Sequence, residues 1–141
     1  VFSRYSAHHW SDLGLALREV RRVLKPGGVA AFIDVMSPGS PLFDTYLQTV
    51  EVLRDTSHVR DYSAGEWLHQ INEAGLQVRS TQRQRLRLEF ASWIERMRTP
   101  LVMSAAIRQL QQSMGTEVRT YFEIEADGSF STDVLVLWAE K

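Results

Sequence analysis

Apolar and polar positions alternate with two different periods along this chain, and the switches between them mark its elements. Leu13, Leu17, Val20 and Leu24 recur at helical spacing, with Arg18, Glu19, Arg21 and Arg22 largely elsewhere. Pro26-Gly27-Gly28 cannot continue that helix, and the unbroken apolar run Val29 to Ile33 reads as a strand covered on both faces. A helix feeding such a strand through a glycine turn is half of a right-handed crossover unit, so the pattern predicts an α/β fold. The loop Met36–Pro41 follows, and Pro41 opens a helix to about Arg54 with Leu42, Tyr46, Val50 and Leu53 turned inward.

Ser63-Ala64-Gly65-Glu66 is a capping-box pattern ahead of a helix that buries Trp67, Leu68 and Ile71 and stops at Gly75. Leu76 to Phe90 reads as extended: Leu76 to Val78 is the next strand, and Leu86, Leu88 and Phe90 then alternate with Arg85, Arg87 and Glu89. Ser92-Trp93-Ile94-Glu95 has a second capping-box pattern, and Thr99-Pro100 starts a helix striped by Met103, Ile107, Leu110 and Met114, ending at Gly115. Val118–Glu125 and Phe130–Ala139 around Asp127-Gly128 read as a closing hairpin.

Composition narrows the class without naming it. The 141 residues are 44% hydrophobic and 23% charged, ordinary for one globular domain. A formal net charge of −1 gives no footprint for nucleic acid or for an anionic membrane. The absence of cysteine excludes disulfides and thiolate metal sites. With no apolar run of about 18 residues and no signal-peptide pattern, the expectation is a cytoplasmic protein.

Specific motifs go further. Ser3-Arg4-Tyr5-Ser6-Ala7-His8-His9-Trp10, a helix ending in Arg22-Val23-Leu24-Lys25-Pro26-Gly27-Gly28, and a strand closing on Asp34 occur in that order. Together they resemble the class I S-adenosylmethionine-dependent methyltransferases, in the branch of the ubiquinone and menaquinone biosynthesis enzymes. In that family the His-His-aromatic segment follows the fourth strand, and Leu-Lys-Pro-Gly-Gly leads into the fifth. The resemblance implies the C-terminal half of a Rossmann-like sheet, with strands five, six and an antiparallel seven between them. Residues 92–114 would be a helical insertion of the kind that covers substrate pockets.

The family's glycine-rich cofactor loop, Asp/Glu-x-Gly-x-Gly-x-Gly, has no counterpart here, and the first residue is Val1. The expectation is therefore a fragment lacking the main S-adenosylmethionine-binding motif. Its parent would methylate a small organic molecule. The alternative is a non-catalytic remnant or assembly module that dimerises, or exchanges strands, through its exposed half sheet. A nicotinamide-dependent reductase fits less well, because its fingerprint is also missing.

By resemblance, Ser3, Arg4 and Tyr5 border the methionine part of the cofactor, largely through backbone atoms; as a bare residue, Arg4 is a surface charge. His8 and His9 point in different directions from one turn, and either imidazole could accept a proton near neutrality or simply be satisfied within the loop. No carboxylate or third histidine lies at ligand spacing beside them, so no metal is expected. Asp34, on the functional rim of an open sheet, either orients a helix terminus or lines the pocket. The polar run Arg54–Arg60 offers Arg54, His58 and Arg60 as contacts for an anionic or carbonyl-bearing substrate, against the plainer reading of a surface loop with local ion pairs. Tyr46, Trp93 and Met97 are pocket walls or, more simply, core.

Overall fold

The computed structural model describes all residues, 1–141. Its sheet has the order β1-β2-β4-β3, built from β1 (Phe2–Arg4), β2 (Val29–Met36), β3 (Gln77–Leu88) and β4 (Phe130–Glu140). β1 runs parallel to β2, and β4 runs antiparallel to both β2 and β3. The carboxyl ends of β1, β2 and β3 therefore share one rim.

α1 (Leu13–Val23) is capped by Asp12, whose side chain accepts from the Leu15 amide at 2.7 Å. α3 (Ala64–Glu73) carries the expected capping box between Ser63 and Glu66. It ends at Gly75, where φ is +74° and the following Leu76 amide reaches back to the Ile71 carbonyl, a turn that suits glycine. These two helices pack on one face of the sheet. Leu17, Trp67 and Ile71 meet Phe32 of β2 and Leu137 and Ala139 of β4 there.

The other face holds a second core beneath α2 (Pro41–Arg54), α4 (Phe90–Arg96), α5 (Leu101–Ser113) and α6 (Thr116–Tyr121). Tyr46, Leu47, Val50, Trp93, Ile107, Val118 and Phe122 close over Val35 and Phe130. Further along the same face Val29 and Trp138 are exposed, so the cover is incomplete.

Three expectations are corrected. α2 turns Tyr46 and Val50 inward as expected, adds Leu47 and Glu51, and leaves Leu42 exposed in its first turn. α4 begins ahead of Ser92: Glu89 accepts from the Ala91 and Ser92 amides at 3.1 and 2.7 Å and is the actual cap. Val118–Glu125 forms no strand. Its first half belongs to α6, where Val118, Tyr121 and Phe122 have the i, i+3, i+4 spacing of one helical face. The partner of β4 is instead the whole of β3, in register from Leu88↔Phe130 to Gln77↔Glu140 with a bulge between Val78 and Ser80.

Candidate functional site

A cleft of about 170 Å³ opens where the rim, α2 and α4 meet. Three parts of the chain supply its polar groups: His8 and His9 from a single 3-10 turn (Ala7–His9) after β1, Glu51 and Arg54 from the last turn of α2, and Arg96 from α4. Its apolar wall is Val35, Leu86, Leu88, Trp93 and Met97, with Tyr5 at the edge. The position agrees with the rule for open α/β sheets, in which ligands bind beyond the carboxyl ends of the strands.

Asp34 lies behind the cleft and fixes its floor. The side chain is 3% exposed, and Oδ2 accepts from the Ser6 and Ala7 amides at 3.1 and 2.7 Å, holding the start of the 3-10 turn. Oδ1 takes the Val35 amide at 2.9 Å and the His8 Nδ1 at 2.5 Å. A carboxylate can only accept there, so His8 carries its proton on Nδ1 and leaves Nε2 bare. Burial alone would lower the His8 pKa; the hydrogen bond and charge of Asp34, helped by Glu51, outweigh it and raise that pKa above its ordinary value. The aspartate thus orients a helix terminus and an imidazole rather than lining the cleft.

Glu51 is a buried acid that the sequence reading did not single out. Desolvation raises its pKa, against the opposing charges of Arg54 and His8. The signal was present: Leu47, Val50, Glu51 and Arg54 fall at one helical spacing, so an acid on an otherwise buried stripe was visible had the stripe been drawn through Leu47. Arg54 is fixed by its Nε–H to the Trp93 carbonyl at 2.9 Å and lies 4.8 Å over the Trp93 ring, with a longer 3.4 Å contact to Glu51.

The remaining candidates go elsewhere. Arg60 pairs with Glu66 at 2.8 Å and Asp44 at 3.3 Å, outside the cleft. His58 faces Gln48 at 2.8 Å. The Gln48 amide NH₂ is spent on Asp44 Oδ1 and the Asp61 carbonyl, so its oxygen accepts and His58 must donate from Nε2. Burial comes first among the causes that press the His58 pKa down to about 4, followed by the charges of His8 and His9. Its backbone segment still matters to the site, because the Val59 and Arg60 amides both donate to the His8 carbonyl. His9 binds the Ser57 carbonyl at 3.1 Å. Trp93 and Met97 are cleft walls, whereas Tyr46 is core.

The fold also brings Asp61 to His8 and Asp34, with one ligand-type atom of each within 4.8 Å of the others, a grouping invisible in sequence spacing. Asp61 is 1% exposed and neither carboxyl oxygen has a partner. Desolvation, with the charges of Glu51, Asp34 and Asp44, raises its pKa well above the usual range. Asp34 has already committed its acceptor positions to three amides and His8. The trio is therefore a hydrogen-bonded His8–Asp34 dyad beside a buried acid whose oxygens have no partner.

A methyltransferase-domain family profile matches residues 1–32. The uncharacterised protein YafE of Escherichia coli is 60% identical over 141 residues, 100% of this chain and 68% of YafE. The uncharacterised methyltransferase YcgJ of Bacillus subtilis is 40% identical over 100 residues, 71% of this chain and 40% of YcgJ. The YcgJ crystal structure superposes with a TM-score of 0.93 at 32% identity, over 99% of this chain and 62% of that one. A candidate methyltransferase from Bacillus halodurans superposes at 0.95 with 28% identity, over 100% of this chain and 68% of that one. The chain thus spans about two thirds of the length of its relatives YafE and the B. halodurans protein.

Proposed function

We propose that the chain is part of an S-adenosylmethionine-dependent methyltransferase, as its profile match and its methyltransferase relatives support, and that it forms the acceptor side of a site transferring a methyl group to a small organic molecule. The observation that carries this reading is the His8–Asp34 dyad, with one imidazole nitrogen locked and the ring on a cleft at the strand rim.

The cofactor, when bound, supplies an electrophilic methyl group. The residues present fit part of it: Ser3, Arg4 and Tyr5 lie at the carboxyl end of β1, and Tyr5 takes φ +48°, so this turn offers backbone to the methionine portion. The glycine-rich cradle of the family is not among these residues. The acceptor lies in the cleft against Trp93, Leu86 and Leu88, which align it and exclude water; in methyl transfer, orientation is the larger share of the work. His8 takes the acceptor proton at Nε2, and Asp34 stabilises the resulting imidazolium. His9 closes the same turn as a wall.

The test measures binding of S-adenosylhomocysteine by calorimetry, and transfer of labelled methyl into low-mass products from an extract of small metabolites. We expect His8→Asn to lower transfer by about 100-fold or more with cofactor affinity unchanged. Labelling that His8→Asn leaves intact would refute the assigned role. A second reading, a non-catalytic assembly module, draws support from the exposed Trp138 on the sheet face. No cofactor binding, together with a dimeric mass in solution, would favour it.

A further inference from the structure

The arginines of β3, and those beside the cleft, are mostly matched to acids. Along β3, Arg79 meets Glu140 at 2.8 Å, Arg83 meets Asp133 at 2.8 Å, Arg85 meets Asp133 at 3.2 Å and Arg87 meets Glu125 at 2.6 Å. Arg54 and Arg60 are likewise paired. The Arg4 and Arg96 side chains form no ion pair or hydrogen bond with the protein; the Arg4 guanidinium rests only on the Tyr5 ring, at 5.0 Å.

Both of these unmatched cations line one groove of about 350 Å³. That groove shares Tyr5, Leu86, Leu88 and Arg96 with the cleft beside His8, so the two are neighbours along a common wall. The acid in the groove, Glu89, has both oxygens turned to the Ala91 and Ser92 amides, and Arg87 is held by Glu125. What faces a ligand there is an apolar floor with two free guanidinium groups. Unpaired guanidinium groups on an apolar groove suit an oxyanion, which they bind by charge-assisted and often bidentate hydrogen bonds.

The geometry points to an anion subsite at Arg4 and Arg96 that holds a carboxylate, sulfonate or phosphate of the methyl acceptor, while the acceptor's apolar body runs along Leu86 and Leu88 towards His8. This rests on the proposed function above for its inner end. It makes the acceptor an amphiphile, anionic at the outer end and nucleophilic at the inner end. The backbone of Ser3–Tyr5 remains available to the cofactor, since the subsite uses only the Arg4 side chain.

The probe is 8-anilinonaphthalene-1-sulfonate, an aromatic body with one sulfonate, against N-phenyl-1-naphthylamine, the same body without it, both followed by fluorescence on the full chain. We expect the sulfonate to bind about tenfold more tightly at low salt and to lose that margin as salt screens the charges. Arg4→Gln and Arg96→Gln should each weaken the sulfonate about threefold or more, and the double variant should erase the margin, with the neutral dye unchanged and circular dichroism native. Equal binding of the two dyes, or a margin that survives the double variant, overturns the subsite. S-adenosylhomocysteine distinguishes the source of the anion. If it displaces the sulfonate dye and loses affinity in the same variants, the anion read is the cofactor's carboxylate and the acceptor assignment falls. If it binds alongside the dye and is indifferent to the variants, the acceptor assignment stands. Its binding also reports on the methyltransferase reading independently of either dye.

Discussion

At the scale of single residues, the site depends on how two histidines are held. His8 is partly buried beside Asp34 and its pKa is raised. Because the folded-state pKa exceeds the unfolded one, the pair contributes stability that is full below about 6.5 and is lost as pH rises through the raised value. In proton NMR the His8 ring should titrate above 6.5, and in Asp34→Asn its midpoint should drop below, since burial remains and the charge is gone. A midpoint that does not move would show that the pair is not the cause. His58 has the opposite sign. With its folded-state pKa at about 4, the unfolded chain takes up the proton first, so stability falls as pH drops from 6.5 towards 4. Its ring is only partly buried, so about 1 to 2 kcal/mol is expected after screening. Urea midpoints compared between pH 7 and pH 4.5 should converge for His58→Phe and wild type on acidification; an equal acid loss in both would contradict this.

Among the elements, the helix starts are the sharpest local features. Ser63 and Glu66 satisfy each other's amides at the start of α3, and Glu89 performs the service at α4 with a single carboxylate. Glu89→Ala should lower the midpoint of chemical denaturation measurably, because two helix-start amides lose their acceptor. Ser92→Ala should cost only a few tenths of a kcal/mol, as expected of an exposed position inside the helix rather than at its cap. The sequence made Ser92 look like a cap because Ser-x-x-Glu is common by chance, whereas glutamate is a rarer cap that two open amides had to reveal. The same scale explains what was legible. The α1–β2 unit was readable, since Pro26-Gly27-Gly28 leaves no alternative. α6 was misread because Val118 to Ile124 mixes β-branched and aromatic residues, and only their burial on one side shows the helical period. At the site, His8, His9, Asp34 and Arg54 could be named from motifs. Glu51 and Asp61 needed the packing that buries them, and Arg96 needed the groove.

For the molecule as a whole, the sheet carries two cores of different completeness. The face under α1 and α3 is closed, while the opposite face is roofed only near the rim, leaving Trp138 and Val29 exposed. The roofed part is the part that holds the cleft, so the site rests on packed structure even where the sheet does not. No helix is long and apolar enough to cross a membrane.

The antiparallel strand β4 sits between β2 and β3, which have no pairing with each other. It is also the last strand along the chain, and its contacts span up to 111 residues, from Val29 to Glu140. During synthesis, β2 and β3 would leave the ribosome as separate pieces with nothing to hydrogen-bond between them. The sheet could close only once residues 130–140 arrived. High contact order of this kind slows folding and prolongs exposure of strand edges. A nascent chain stalled before residue 130 would thus expose the facing edges of β2 and β3 together.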